Sequence, residues 1–131
     1  MSAGGGPRGA PTATTVRRVV IADNDADALE LAVLDLQLEG HEVVGTALEG
    51  DTALALVEQL VPDVVVLDHR MPPGPWGMDV AARIRAERPG IEVIVYSNYQ
   101  SAELLERARQ LGVRFLPKGN LRTLRRAVSG R

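Results

Sequence analysis

The 131-residue chain contains no cysteine. Disulfides, thiolate zinc sites, iron–sulfur clusters and cysteine nucleophiles are therefore excluded. Two isolated histidines, His41 and His69, are too few for a histidine cage. Aromatics are scarce: Trp76, Tyr96, Tyr99 and Phe115 are the full set, so a core must be built from Val, Leu, Ile and Ala. No apolar run reaches the ~18 residues of a membrane span. No charged-then-apolar leader opens the chain, so no membrane partner and a cytoplasmic address are expected. An excess of positive charge is missing too. The formal charge is −2, which argues against nucleic-acid binding by this domain, since such binding rests on a basic face. Lysine is nearly absent: of fifteen basic residues fourteen are arginine, and Lys118 is the exception.

What is present suits one domain. Hydrophobic residues make up 45%, which rules out wholesale disorder. A chain this long can bury roughly two-thirds of its unfolded surface without a staple. After Met1 and Ser2, residues 3–15 are Gly, Pro, Ala and Thr with a single charge, Arg8. Residues 1–15 are expected to form a disordered arm, leaving 16–131 as the domain. From Val16 onward, short β-branched runs alternate with amphipathic stretches. The runs are 18–22, 42–46, 63–67, 92–96 and 113–117. The helical stretches are 27–39, 51–60, 78–88, 102–111 and 121–129, with Ser101 as an N-cap and Gly40 and Gly112 as stops. Runs that are apolar on consecutive residues suit strands covered on both faces. The expected fold is α/β: a doubly wound, five-stranded parallel sheet with helices on both faces.

Ligands of such sheets bind beyond the carboxyl ends of the strands, so the residue after each run is the informative one. Asp23-Asn24-Asp25 follows the first run, Asp68 the third, Ser97-Asn98 the fourth and Lys118 the fifth. Ala47-Leu48, after the second, carries nothing ionisable. Any single polar strand end is unremarkable, because loops are polar. An acid cluster, a lone acid, a hydroxyl and the one lysine together are not. Clustered carboxylates repel unless a cation sits among them. Mg²⁺ takes hard oxygen ligands, keeps several waters and bridges to phosphate. A carboxylate can itself act as the nucleophile toward a phosphoryl group, and an ammonium and a hydroxyl can clamp the remaining oxygens. The pattern reads as a Mg²⁺-assisted phosphoryl acceptor.

The stretches VVIADNDADAL, DVVVLDHRMPPGPWGMDV, IEVIVYSNY and GVRFLPKG, in that order, resemble the receiver domain of two-component response regulators. The resemblance covers about Arg17 to Val128. It implies a flavodoxin-like sheet of order 2-1-3-4-5 and phosphoryl transfer onto Asp68 from a sensor histidine kinase or phosphotransfer protein. It also implies a metal site at Asp23, Asn24 and Asp68 with the backbone carbonyl of Arg70. It makes Ser97 the hydroxyl switch, Lys118 the phosphate-binding lysine and Phe115 the aromatic switch. The surface expected to change partners includes Glu103, Glu106, Arg107, Arg122, Arg125 and Arg126. Those partners would be a downstream target, an output domain or a second copy. The chain would be either a stand-alone regulator or the receiver of a longer protein.

Four departures stand out. Asn24 replaces the second acid of the metal pair; Asp25 would either compensate or cap the first helix. Gly119 follows Lys118 where proline is common, which weighs against a cis bond there. Asn98 replaces a small residue after Ser97. The PPGPWG loop is one residue longer, with Trp76 either a lid, a partner contact or packing over the third helix. Asn24 and Asn98 motivate an alternative, a pseudo-receiver that binds proteins without phosphorylation. An aspartate-nucleophile phosphatase is disfavoured because Arg70 stands where its second Asp is needed. His69, beside Asp68 on a strand end, is expected to point away from it. His41, in a turn, is expected to be exposed and inert.

Overall fold

The structure, a computed structural model, describes residues 16–130. The proposed arm, 1–15, lies outside them. Ten elements alternate: β1 (Arg18–Ala22), α1 (Ala26–Leu38), β2 (Glu42–Ala47), α2 (Gly50–Leu60), β3 (Val64–Leu67), α3 (Gly77–Glu87), β4 (Glu92–Ser97), α4 (Ala102–Leu111), β5 (Arg114–Pro117) and α5 (Leu121–Val128). All strand pairs are parallel and the order is β2-β1-β3-β4-β5. Fold class, order and element positions match the sequence reading, with boundaries moved by a residue or so.

The period-2 geometry of a strand explains why consecutive residues are all apolar. Val19, Ile21, Val64, Val66 and Ile94 face α1 and α5, where Leu36 and Leu124 meet them. Val20, Val65, Leu67, Val93 and Val95 face the opposite layer with Val57, Met78 and Ile84. Each such side chain, when fully buried, contributes ~1.5–3 kcal/mol of transfer free energy. Helix ends follow local chemistry. Asp25 caps α1, accepting from the Asp27 and Ala28 amides at 3.0 and 3.2 Å. Ser101 caps α4 through the Leu104 amide at 3.1 Å. Gly112 ends α4 in the left-handed region at φ 72°, where other residues are strained. Among the described residues, the one cis peptide is Pro72–Pro73, and none occurs at Lys118–Gly119.

The order reverses between β1 and β3. Ala22 and Leu67 are directly paired, so the chain leaves the two strands side by side at Asp23 and Asp68. No helix among the described residues is long and apolar enough to cross a membrane.

His41 is not exposed and inert as the sequence suggested. It is 4% exposed; its Nδ1 accepts from the Arg17 amide at 3.1 Å, and its Nε2 lies 3.0 Å from Ser129 Oγ. The end of α5 folds across that turn, and Ser129 there gives the buried imidazole a polar partner.

Candidate functional site

Asp23 and Asp68 converge on one cation. Lys118 Nζ lies 2.7 Å from Asp23 Oδ2 and 3.1 Å from Asp68 Oδ2. Three strand ends supply these groups, and the lysine arrives from β5, two strands from β3. The remaining carboxylate oxygens are held by backbone. Asp23 Oδ1 accepts from the Asp25 amide and Asp68 Oδ1 from the His69 amide, each at 2.8 Å. Burial pushes the Asp23 carboxyl above its ordinary value; the Lys118 ammonium and the Asp25 amide only partly offset this, and the Asp68 charge adds to it. Burial pulls Lys118 down, but bonds and charge from Asp23 and Asp68 outweigh it and its ammonium is held more firmly than usual. Two adjacent carboxylates in a half-shielded site demand a cation, and lysine supplies it in this state.

The donor set fits Mg²⁺. Among the described residues no three His, Cys, Asp or Glu cluster as a metal cage, yet Mg²⁺ needs only one or two carboxylates and otherwise keeps water. Asp23 and Asp68 could supply both. Asp25 caps α1, with one carboxylate oxygen accepting from the Asp27 and Ala28 amides. Asn24 is exposed, and its Nδ2 donates to the Pro72 carbonyl at 3.2 Å and sits 3.5 Å from that of Leu48. An aspartate could not make these bonds, so the amide ties three loops together around the acids.

The other predicted residues are nearby but not in the cluster. Ser97 is buried at the end of β4, and its hydroxyl accepts from the Tyr99 amide at 3.1 Å rather than reaching Asp68 or Lys118. Arg70 is exposed, its guanidinium 5.8 Å from the Trp76 ring centre. Phe115 is half-buried against the α2–α3–α4 layer. Trp76 is 47% exposed, and its ring centre lies 5.0 Å from that of His69. Tyr99 stacks on the same imidazole at 5.9 Å. His69 thus turns away from Asp68 into an aromatic clasp, with Nδ1 accepting from the Met78 amide at 3.3 Å. Burial lowers its pKa, against the pull of Asp68 and Asp79.

Of the expected partner surface, Arg107 pairs with Asp79 at 3.0 Å and Glu106 with Arg109. Arg125 does not join that surface as a free charge. It pairs with Asp35 of α1 at 2.7 Å, because α5 packs beside α1.

Sequence reasoning missed Gly77 and Tyr96. Gly77 opens α3 with its amide 2.6 Å from the His69 carbonyl; the glycine that closes the PPGPWG loop was the available signal. Tyr96 is 6% exposed, and its hydroxyl accepts from the Gly119 amide at 3.0 Å. A strand tyrosine carries no sequence mark of such a partner.

Comparison with known proteins agrees with this geometry. The response regulator receiver domain family matches residues 19–129. The transcriptional regulatory protein PdtaR of Mycobacterium tuberculosis is 37% identical over 108 residues, covering 82% of this chain and 51% of that protein. The chain thus spans about half the length of the curated relatives it matches. The signal receiver domain of the NarL response regulator from the same organism superposes with a TM-score of 0.78 at 33% identity, covering 88% of this chain and 98% of that one. A structure described as the CheX-CheY-BeF3-Mg+2 complex of Borrelia burgdorferi shares the fold, with a TM-score of 0.79 at 23% identity over 86% of this chain and 87% of that one. With its sheet order, its paired strand-end acids and a family match over nearly all its described residues, the chain belongs to the response regulator receiver domain family.

Proposed function

We propose that this domain accepts a phosphoryl group on Asp68 with Mg²⁺ and passes the change to a protein-interaction surface. One observation carries the reading. The chain's only lysine bridges two carboxylates, Asp23 and Asp68, at the point where the strand order reverses. Arginine fills every other basic position, and a compact ammonium on a flexible stem suits a site that must release one anion to hold another.

Asp23 and Asp68 would hold the metal, with the Asn24 amide oxygen and the Arg70 carbonyl as further ligands. Bound there, Mg²⁺ would neutralise charge on the carboxylates and on the incoming phosphoryl oxygens. An Asp68 carboxylate oxygen attacks phosphorus, and the phosphorus–nitrogen bond of a donor phosphohistidine breaks. The electron pair returns to the donor imidazole. Lys118 leaves Asp23 and Asp68 to bind a phosphoryl oxygen, and Ser97 exchanges the Tyr99 amide for another. That exchange would pull the β4–α4 loop and alter the face built by α4, β5 and α5, with Phe115 turning inward. The partners are then a sensor histidine kinase or phosphotransfer protein upstream. Downstream stands an output domain, a target protein or a second copy, in the cytoplasm.

The test is incubation with Mg²⁺ and acetyl phosphate, read by intact mass, for the wild type and Asp68→Asn. Gain of one phosphoryl mass in the wild type alone is expected. One observation favours the alternative, a phosphorylation-independent binding module: the Asn24 amide already engages Pro72 and Leu48. Absence of labelling, with no beryllofluoride binding at millimolar Mg²⁺, would establish that alternative instead.

A further inference from the structure

Lys118 must be delivered to two acids from a strand that ends before it. β5 closes at Pro117, and the last ladder bond runs from the Lys118 amide to the Ser97 carbonyl at 3.1 Å. Beyond it the chain turns at Gly119, φ 103°, and enters α5 under the Asn120 cap. The turn is held from β4 a second time. Tyr96 points to the face shared with α1 and α5, and its hydroxyl accepts the Gly119 amide at 3.0 Å. Consecutive residues of β4 therefore grip consecutive amides on either side of the Lys118 Cα. A buried tyrosine hydroxyl needs a partner, and Gly119 has the N–H that proline would lack. The phenol and the glycine form a matched pair at the place where this chain departs from the family's proline.

We infer that Tyr96 is a positioning residue: through Gly119 it sets the Lys118 ammonium between Asp23 and Asp68. The inference deepens the phosphoacceptor reading and rests on it for its functional consequence. Removing the hydroxyl frees the turn by one rotatable peptide and lets the ammonium drift toward solvent, although Tyr96 itself touches neither acid.

Tyr96→Phe keeps the ring and deletes only the acceptor. Because Lys118 is the one lysine, nitrogen-15 labelling of lysine gives a single side-chain ammonium signal. Ammonium groups held by two carboxylates exchange slowly with water, and freed ones exchange quickly. The slowly exchanging signal, measured without metal, is expected to broaden or vanish in Tyr96→Phe. Beryllofluoride binding at fixed Mg²⁺ is expected to weaken roughly threefold to tenfold, the loss of one net hydrogen bond. Ile94→Val serves as the control. It trims the same face of β4 and should lower the melting temperature while leaving the ammonium signal intact. An ammonium signal unchanged in Tyr96→Phe, or disturbed equally in Ile94→Val, overturns the inference. If the signal is lost in Tyr96→Phe but the wild type binds no beryllofluoride, the positioning role stands and the phosphoacceptor reading falls.

Discussion

Gly77→Ala should be among the most damaging single-methyl additions in this protein. At the first position of a helix, glycine to alanine ordinarily helps by up to ~1 kcal/mol, because alanine loses less backbone entropy on folding. Here the added Cβ would sit 2.0 Å from the Asp68 carbonyl oxygen, 2.8 Å from its carbonyl carbon and 2.8 Å from the His69 Cα. Every one of those atoms is backbone, so no side chain can swing aside. Relief needs a movement of more than an ångström in either the start of α3 or the end of β3. The Gly77–His69 hydrogen bond resists the first, and the Asp68 amide, bonded to the Ala22 carbonyl at 2.9 Å, resists the second. Overpacking of a rigid site costs ~1–3 kcal/mol, and the upper part of that range exceeds the propensity gain. We expect a net loss of about 2 kcal/mol, read as a lower urea midpoint at unchanged slope by far-UV circular dichroism. Beryllofluoride binding should fall as well, because the displaced backbone is that of Asp68. Gly90→Ala is the control: its Cβ meets nothing within 4 Å, so stability should hold or rise by ~0.4–1 kcal/mol. If Gly77→Ala is as stable as the wild type and binds beryllofluoride as well, the close approach of α3 to Asp68 is wrong.

Other expectations follow from single contacts. Asn24→Asp adds a charge to the metal site and should tighten Mg²⁺ by ~1 kcal/mol, about fivefold in Kd; it also removes the Pro72 bond, so metal-free stability should fall by ~0.5 kcal/mol. A titration calorimetry result with unchanged affinity would show that position 24 does not reach the metal. Burial holds His41 below its ordinary 6.5, with Glu39 opposing and Arg17 assisting. The folded state therefore binds fewer protons than the unfolded one. Its stability is fully present above pH 6.5 and is lost as pH falls from there through the depressed value. Urea midpoints across pH 5 to 8 should show this slope, shallower in His41→Asn but not absent, since His69 is lowered too. Arg125→Ala strips the partner from Asp35, whose Oδ2 is already buried without a hydrogen bond. With Arg125 about a third exposed, the cost should be ~1–3 kcal/mol, below that of a fully buried pair; a midpoint shift within error would place the pair in solvent.

The legible part of this molecule is the part governed by neighbours in sequence. Strand runs such as VVVL and caps such as Asp25 and Ser101 act over a few residues, so their positions could be written from the chain alone. The strand-end rule extended this to the site: Asp23, Asp68 and Lys118 were expected together and lie within 3.1 Å of one another's partner atoms. What escaped depends on atoms far apart in the chain. His41 is buried because residue 129 returns to it across the sheet, and no local pattern encodes that. Ser97, by contrast, is held by a local contact, its hydroxyl accepting from the Tyr99 amide two residues on.

The same distinction explains why the departures from the family pattern cohere. Asn24, Gly119 and the long Pro-rich loop look independent in the sequence. In space two of them are connected, since the Asn24 amide donates to Pro72 of that loop, and the third supplies the amide that Tyr96 holds. Asn24 and Gly119 each donate a hydrogen bond that an acid or a proline in their place could not, and the loop supplies the carbonyl that accepts the first. With one carboxylate fewer, the acid cluster needs less cation to balance it, and a single ammonium at 2.7 and 3.1 Å suffices. The metal-free site is thereby closed by its own hydrogen bonds. On the proposed reading, Lys118 would have to leave both carboxylates for the phosphoryl oxygen when Mg²⁺ and phosphoryl bind, and the hold of β4 on its backbone would keep the ammonium within reach of that oxygen.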